Sequence, residues 1–309
     1  MRLVFVLTLI SSLLFYGCQS RNLEINPVIG LVPAKRNIDC LASAFELLSD
    51  DELYQAFGKE LQIAIVFAKE FDLYRAITGF KRALILIPKK NLNRVRQIEY
   101  SIIECYYLAQ KYQEVIDIFE TSRLLDITPE FPAFGQLITM LYDSYLQVGL
   151  SEKACRLLAI IEMGNKEVAH KLKSYVALSN ADFVGLELLG FQESLIIPYE
   201  LEKKSVKKAK ILNAILPGAG YYYIGQKKSA VTAFVINTLF TVAAYQFFSR
   251  GYIAAGTITT SFEAGWYFGG INGAGLEANE YNERLYESKA KDLMLKQRYF
   301  PILTFETSF

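Results

Sequence analysis

A glycine-rich stretch near residue 220 carries residue types that could bind phosphate. Its sequence is AILPGAGYYYIGQKKSAV, residues 214–231. Gly220 and Gly225 stand five residues apart, and two lysines and a serine follow closely. In a phosphate-binding loop of the type GxxxxGK[ST], bare backbone amides and a lysine surround the phosphate groups. Here Gln226 occupies the position where that pattern requires lysine, so the match fails by one residue.

Other combinations of residues that support catalysis or metal binding are scarce. His170 is the only histidine, so neither a histidine-based metal cluster nor a serine–histidine triad can form. Basic residues do not cluster with aromatic ones as a nucleic-acid groove requires. The net charge of +1 gives no general attraction for nucleic acid or an acidic partner. We therefore predict no enzymatic activity, no cofactor, no metal and no nucleic-acid partner.

The N-terminus has the composition of an export signal. The apolar run from Leu3 to Tyr16 is too short to span a bilayer comfortably. Gly17-Cys18 follows it and resembles the bacterial lipoprotein box, although Phe15 is larger than the usual residue there. The resemblance implies that residues 1–17 are a signal peptide, that Cys18 is lipidated and that residues 18–37 are a linker. An ordinary signal peptide and an uncleaved anchor remain open.

Three further cysteines lie beyond the lipoprotein box. Export would permit disulfides, but Cys40, Cys105 and Cys155 are an odd number and include no CxxC pair. Because Cys105 and Cys155 fall inside helical patterns, we predict that both are buried thiols.

Three segments in the middle of the chain align at a spacing of 39 residues. In the first, residues 61–88, the repeat positions are occupied by Ile63, Ala64, Phe67, Ala76, Phe80, Ala83 and the closing Pro88. The others offer Ile102, Tyr106, Val115, Phe119 and Ser122, then Leu141, Tyr145, Ala154, Leu158 and Ile161. This pattern resembles the tetratricopeptide repeat, in which stacked helix pairs bury an apolar stripe that one pair cannot bury alone. A generic helical bundle is the alternative.

The repeat region implies a binding groove rather than an active site. We assign it residues 38–200, with residues 38–56 as a preceding helix pair and residues 166–195 as a capping pair. By position in the motif, the groove carries Leu61, Ile65, Lys69, Tyr100, Glu104, Tyr107, Thr139 and Asp143. Exposed Tyr100 and Tyr107 would anchor a peptide. Packing of both against the neighbouring repeat remains open.

The C-terminal third is apolar enough to enter lipid. Residues 205–228 form an interfacial segment, in which tyrosines and lysines suit a membrane boundary. Ser229 to Phe248 are 20 residues without a formal charge, about 30 Å of helix. A second run, from Gly251 to Ala274, is interrupted only by Glu263. Because the link between the runs is short, we predict an antiparallel transmembrane hairpin over residues 229–276.

Small and polar residues should pack this hairpin. Small residues recur at every fourth position of the second helix, at Ser261, Gly265, Gly269 and Gly273. Such a stripe lets membrane helices of one chain, or of two copies, approach closely. Asn237 and Glu263 lie equally far from Arg250, so we predict a hydrogen bond between them, with Glu263 protonated. An ion or proton path is the functional alternative to this polar staple.

The string LPGAGYYYIGQKKSA resembles the PGxGxxYxG segment that precedes a helical hairpin in small bacterial membrane modules of the TM2-like type. A similar segment occurs in tetratricopeptide membrane proteins of unknown function. The resemblance covers residues 216–284 at most and includes FEAGWYFGGINGA and EYNERLY. It implies a membrane boundary, and three tyrosines fill the loop where a phosphate would need bare amides.

These patterns predict an all-α protein with a tetratricopeptide-like solenoid, a transmembrane hairpin and a helical tail over residues 277–309. The final stretch, YFPILTFETSF, is expected to be a single edge strand or a disordered end. The resemblances imply a membrane-anchored scaffold that binds another cell-envelope protein, with its repeats in the periplasm. The outer membrane is favoured, because exported lysines flank the hairpin against the positive-inside rule, and the inner membrane remains open. The alternative function is a homo-oligomeric pore or transport component.

Overall fold

The computed structural model describes residues 25–309, and it is mostly helical, in agreement with the predicted all-α class. The chain divides into two compact units. The groove unit comprises residues 30–178 and 291–309, and the hairpin unit comprises residues 25–29 and 179–290 of the described chain. The predicted signal peptide and Cys18 lie outside the described residues.

The groove unit is built from consecutive helices joined by short connections. They are α1 (Asp50–Tyr54), α2 (Ala56–Lys69), α3 (Leu73–Leu86), α4 (Leu92–Leu108), α5 (Tyr112–Thr121), α6 (Phe134–Gln147), α7 (Ser151–Gly164) and α8 (Lys166–Ser179). From α2 to α7 each helix packs against the next one along the chain, and α4 also contacts α6. The core of this unit therefore runs along a row of helices.

Small residues set the close approach of α2 and α3. Ala64, Ala76 and Ala83 are fully buried, and a Cβ added at Gly79 would lie only 2.9 Å from the Cβ of Ala64. The Asp72 side chain caps α3 by accepting a hydrogen bond from a backbone amide of its first turn. The alanines that the repeat pattern singles out thus occupy the crossing of two helices.

The segment before α2 does not form the predicted helix pair. Residues 38–56 contain a two-residue strand, β1 (Ala42–Ser43), an extended stretch, and the single short helix α1. The carbonyls of Glu46 and Leu47 accept hydrogen bonds from the Arg94 side chain rather than from helical amides. Because its carbonyls are satisfied in this way, the segment stays extended.

Residues beyond α14 return to the groove unit. They form a 3₁₀ turn, Pro301–Thr304, and strand β2, Thr307–Ser308. Strand β2 pairs with β1 in parallel, with Ala42 opposite Thr307 and Ser43 opposite Ser308. Of the two forms predicted for this stretch, the structure has the edge strand.

The hairpin unit begins with short helices and ends with two long ones. Its elements are α9 (Phe183–Leu188), a π-helix (Gln192–Ile196), α10 (Ile197–Glu202), α11 (Val206–Ile215), α12 (Ala219–Ile224), α13 (Lys227–Ser249) and α14 (Ile253–Lys296) up to residue 290. The predicted capping pair is thus divided, since α8 contributes to the groove unit and α9 belongs to the hairpin unit.

The glycine-rich stretch is a close helix crossing rather than an open loop. Gly218 and Gly225 flank α12 with left-handed φ values of 93° and 95°. A Cβ at Gly220 would clash with the Ala209 carbonyl of α11 and lie 2.9 Å from the Cβ of Ala274 in α14. Since neighbouring backbone and side chains fill the space around Gly220, no cradle for a phosphate exists there.

Helices α13 and α14 form an antiparallel hairpin whose contacts are symmetric about Tyr252. The Phe248 ring lies 2.8 Å from a Cβ added at Gly256, and the Thr241 hydroxyl is hydrogen-bonded to the Glu263 carboxyl. Within residues 25–309, α13 is the one helix that is long and apolar enough by itself to cross a membrane.

The predicted hydrogen bond between Asn237 and Glu263 is not formed. Asn237 donates instead to the Ala233 carbonyl of its own helix, at 2.6 Å. Both residues line one cavity of about 340 Å³. The prediction placed the centre of the hairpin at Arg250, whereas the true centre lies two residues later. This offset moves the partner of Glu263 by one helical turn, from Asn237 to Thr241.

The stripe of small residues on α14 does not pack against α13. A Cβ added at Gly265 or Gly269 would meet nothing within 4 Å, and Ser261 is exposed. Of the four stripe residues, Gly273 alone closely approaches a neighbouring side chain, that of Tyr221. The middle of the stripe is therefore an open surface.

The cysteines divide by exposure. Cys105 is buried, whereas Cys40 and Cys155 are exposed, and none of the three forms a disulfide. The prediction of a buried thiol is right for Cys105 and wrong for Cys155. Cys155 follows the buried Ala154 on α7, and one residue turns a helix by about 100°, enough to move its side chain from core to solvent.

Candidate binding groove

The eight predicted groove residues lie on three helices of the groove unit. Leu61, Ile65 and Lys69 are on α2, Tyr100, Glu104 and Tyr107 on α4, and Thr139 and Asp143 on α6. Six of them are buried, whereas Ile65 is half-buried and Lys69 is exposed. Tyr100 and Tyr107 are 1% and 3% exposed, so neither is a free anchor on the surface. Two segments of the same chain contact these tyrosines.

The first covering segment is the tail, defined here as residues 297–309. The Phe305 ring lies 5.6 Å from the Tyr107 ring, and the Phe309 ring stacks on Phe80 of α3 at 6.3 Å. Both phenylalanines are buried, while Glu306 between them is exposed. Aromatic pairs of this kind contribute about 0.5–1.5 kcal/mol beyond the burial of their surface. Two phenylalanines four residues apart therefore hold the tail in the groove by aromatic contacts.

Polar contacts hold the stretch of tail between the two rings. The Gln136 side-chain oxygen accepts hydrogen bonds from the Thr307 amide, at 3.3 Å, and from its hydroxyl, at 2.9 Å. The Gln136 amide donates in turn to Glu104 at 3.2 Å, and the Ser308 side chain bonds to the same carboxyl. Gln136 is absent from the predicted set. It lies three residues before Thr139 on the same face of α6, which is the signal that could have identified it.

The second covering segment is the strap, defined here as residues 42–49. Its Phe45 ring lies 5.3 Å from the Tyr100 ring and 5.7 Å from that of Phe131. Tyr100 and Phe131 also contact each other at 6.0 Å. This aromatic cluster buries Tyr100, and the pairing of β1 with β2 joins the strap to the tail.

Arg94 holds the strap against α4. Its guanidinium donates to both oxygens of Glu52 at 2.9 Å, to the Glu46 carbonyl at 2.6 Å, and to Leu47 and Gln97 oxygens at 2.7 Å. The side chains of Arg94 and Glu52 are only 12% and 16% exposed. The hydrogen bonds from Arg94 lower the pKa of Glu52 to about 2. The ion pair therefore persists at neutral pH.

The groove contains two buried carboxyl groups whose pKa values are raised. Burial raises the pKa of Glu104 to about 8, against the opposing effect of its hydrogen bonds with Ser308 and Gln136. Burial also raises the pKa of Asp143, which accepts a hydrogen bond of 2.6 Å from the Tyr107 hydroxyl. Glu104 is consequently mostly neutral at pH 7, directly beneath the tail.

The tail leaves part of the groove unsatisfied. The Tyr100 hydroxyl and one Glu104 oxygen are buried without a hydrogen-bond partner among the described residues, a situation that costs about 1–3 kcal/mol for each group. Beside residues 304–307 lies a cavity of about 610 Å³. Its apolar lining comes from Phe134, Ile138, Ile160, Ile161, Met163 and Val168. The groove thus has room for more apolar bulk than the tail supplies.

The groove holds an extended segment of its own chain, the tail. Across residues 25–309, no cluster of three or more histidine, cysteine, aspartate or glutamate side chains is arranged to hold a metal ion. Comparison of the chain with models of protein families, with curated proteins and with solved structures finds no match in any of the three.

Proposed function

We propose that this chain is a membrane-anchored helical-repeat scaffold whose groove binds another protein of the bacterial cell envelope. The docked tail carries the proposal, because the groove already holds an extended segment by ring contacts and side-chain hydrogen bonds. The row of helices from α2 to α7, with alanines at the first crossing, supports a tetratricopeptide-like solenoid. Scaffolds of that architecture bind partners along the surface formed by the corresponding helices of successive repeats.

A membrane anchor is supported by the surface of the hairpin unit. Large apolar side chains are exposed on both long helices, namely Val231, Phe234, Val235, Leu239 and Val242 on α13 and Ile258, Phe262, Trp266 and Phe268 on α14. Large exposed apolar side chains in this number are unfavourable in water and suit lipid. Helix α14 supplies the second span, since Glu263 is its only charged residue between Ile253 and Leu276. We place the groove unit in the periplasm and favour the outer membrane over the inner one.

The scaffold proposal predicts that a distinct envelope protein can be crosslinked to the groove unit in living cells. A photoreactive amino acid would replace Lys69, which is exposed at the end of α2, and in a matched control it would replace the exposed Glu114 of α5. An affinity tag inserted after the exposed Lys89 avoids disturbing the buried Phe309. We expect one distinct protein from the Lys69 position and none from the Glu114 position. Capture of no protein, or the same proteins from both positions, would contradict the proposal.

A homo-oligomeric pore or transport component is the second candidate function. The open surface at Gly265 and Gly269 favours it, because a helix from a second copy could approach closely there. We expect Gly269→Ile to abolish self-association in mild detergent, measured by light scattering. Ala264→Ile, an exposed small residue on another side of α14, should leave self-association unchanged. A wild-type chain that is monomeric in mild detergent would exclude this candidate.

A further inference from the structure

We infer that the groove recognises, in its protein partner, an extended segment with two phenylalanines four residues apart and hydroxyl residues before the second one, and that the chain's own tail is the resident competitor for this site. The inference rests on the proposed function and specifies the class of partner. The tail residues Phe305, Thr307, Ser308 and Phe309 supply the pattern.

Each element of the pattern has its own receiving group. Phe305 meets the Tyr107 ring, and Phe309 meets the Phe80 ring. Hydroxyl side chains between them meet Gln136 and Glu104, which are linked to each other by a hydrogen bond. Glu306 is exposed between them, so the groove contacts fall on residues 305 and 307–309 of an extended chain.

The tail fits the groove incompletely, and this argues that a partner segment can displace it. An attached segment competes at a high effective concentration, in the millimolar range for short flexible connections, so a weak fit suffices to keep it bound. A partner in solution has no such advantage and must bind by better contacts. The unpaired Glu104 oxygen beneath the tail and the 610 Å³ cavity beside it provide those contacts.

The test uses the full chain in detergent and a fluorescein-labelled peptide with the sequence of residues 298–309. Phe305→Ala/Phe309→Ala weakens the tail, and Glu306→Ala, at an exposed position, is the matched control. Fluorescence anisotropy should show that the double variant binds the peptide at least about tenfold more tightly than the wild type or Glu306→Ala. A peptide with alanine at both phenylalanine positions should bind at least about tenfold more weakly.

A second variant tests the inference even if the first variant does not fold. It carries a protease site in place of residues 297–299, and cutting the folded protein leaves the wild-type tail attached only by its contacts. We expect the labelled peptide to exchange into the cut protein. A folded double variant that binds no peptide, a cut protein that takes up none on prolonged incubation, or a wild type that binds as tightly as the double variant would overturn the inference.

A peptide-display selection on the cut protein then defines the partner class. Selected sequences should carry aromatic residues four apart, with a larger apolar residue than the tail has at the position of Thr304, beside the cavity. Sequences without the aromatic pair would overturn the inference. If crosslinking captures an envelope protein that lacks such a segment, the scaffold proposal stands and this inference fails, so the two failures are distinguishable.

Discussion

Replacing Arg94 by alanine is expected to lower the free energy of unfolding of the groove unit by about 3 kcal/mol, because it removes one partner of a mostly buried ion pair. The change removes the donor to the carbonyls of Glu46 and Leu47, and it leaves Glu52 with the Ser49 amide but without its cationic partner. Thermal unfolding of the full chain in detergent measures the loss. Hydrogen exchange of residues 44–52 should rise in the same variant, since the strap is then no longer held.

Acid titration provides an independent check on the Arg94–Glu52 pair. The pKa of Glu52 is about 2 in the folded chain, below its ordinary value of 4.5. Its stabilising contribution is therefore present above pH 4.5 and is lost as the pH falls towards 2. The Arg94→Ala variant should therefore lose less stability than the wild type between pH 4.5 and pH 2. Arg82→Ala, which breaks an ion pair at a 64% exposed arginine, should cost less than about 1 kcal/mol. Equal effects of the two substitutions would contradict the role given to Arg94.

Replacing Glu104 by glutamine is expected to stabilise the groove unit at pH 7, by up to about 3 kcal/mol. The wild-type chain must take up a proton to bury this carboxyl, because its pKa rises from 4.5 to about 8 on folding. Glutamine is neutral and can still accept hydrogen bonds from Gln136 and Ser308 through its remaining oxygen. Denaturant unfolding at pH 7 measures the gain, and retained protection of the tail in hydrogen exchange shows that the tail stays docked.

The pH profile separates Glu104 from other buried acids. The wild-type contribution of Glu104 is fully present below pH 4.5 and is lost as the pH rises through 8, so this part of the profile should flatten in Glu104→Gln. Burial raises the pKa of the adjacent Tyr100 and Cys105, which stay neutral throughout that window. Glu114→Gln, at an exposed position, should leave the profile unchanged. A wild-type profile that is flat between pH 5 and 8 would refute the burial of an uncharged Glu104.

The helices of the groove unit can be predicted from the sequence because the residues that define them lie close together in the chain. Apolar residues three and four apart, alanines at crossings and helix-capping side chains all lie within one helix or its immediate neighbour. The same logic placed the eight groove residues on α2, α4 and α6. It failed for residues 38–56, since what keeps them extended is a side chain, Arg94, from a different helix.

Local sequence patterns do not predict that the tail and the strap cover the groove. Gln136 and Thr307, which bond to each other, are separated by 171 residues in the sequence. The strand pairing beside them involves only two residues on each side, too few to leave a periodic signature. In the hairpin, a shift of the turn by two residues was enough to replace Asn237 by Thr241 as the partner of Glu263. Contacts between distant residues and the exact position of a turn are therefore the features that the sequence does not predict.

The parallel pairing of β1 with β2 has a consequence for biosynthesis. Helices α2 to α8 lie well before the tail in the chain, and the N-terminal part of a chain generally becomes free to fold first. Until residues 305–309 have been synthesised, the Tyr107 and Phe80 rings lack the phenylalanines that cover them. Each newly made chain therefore passes through a period with an open groove, in which a partner segment would meet no competitor.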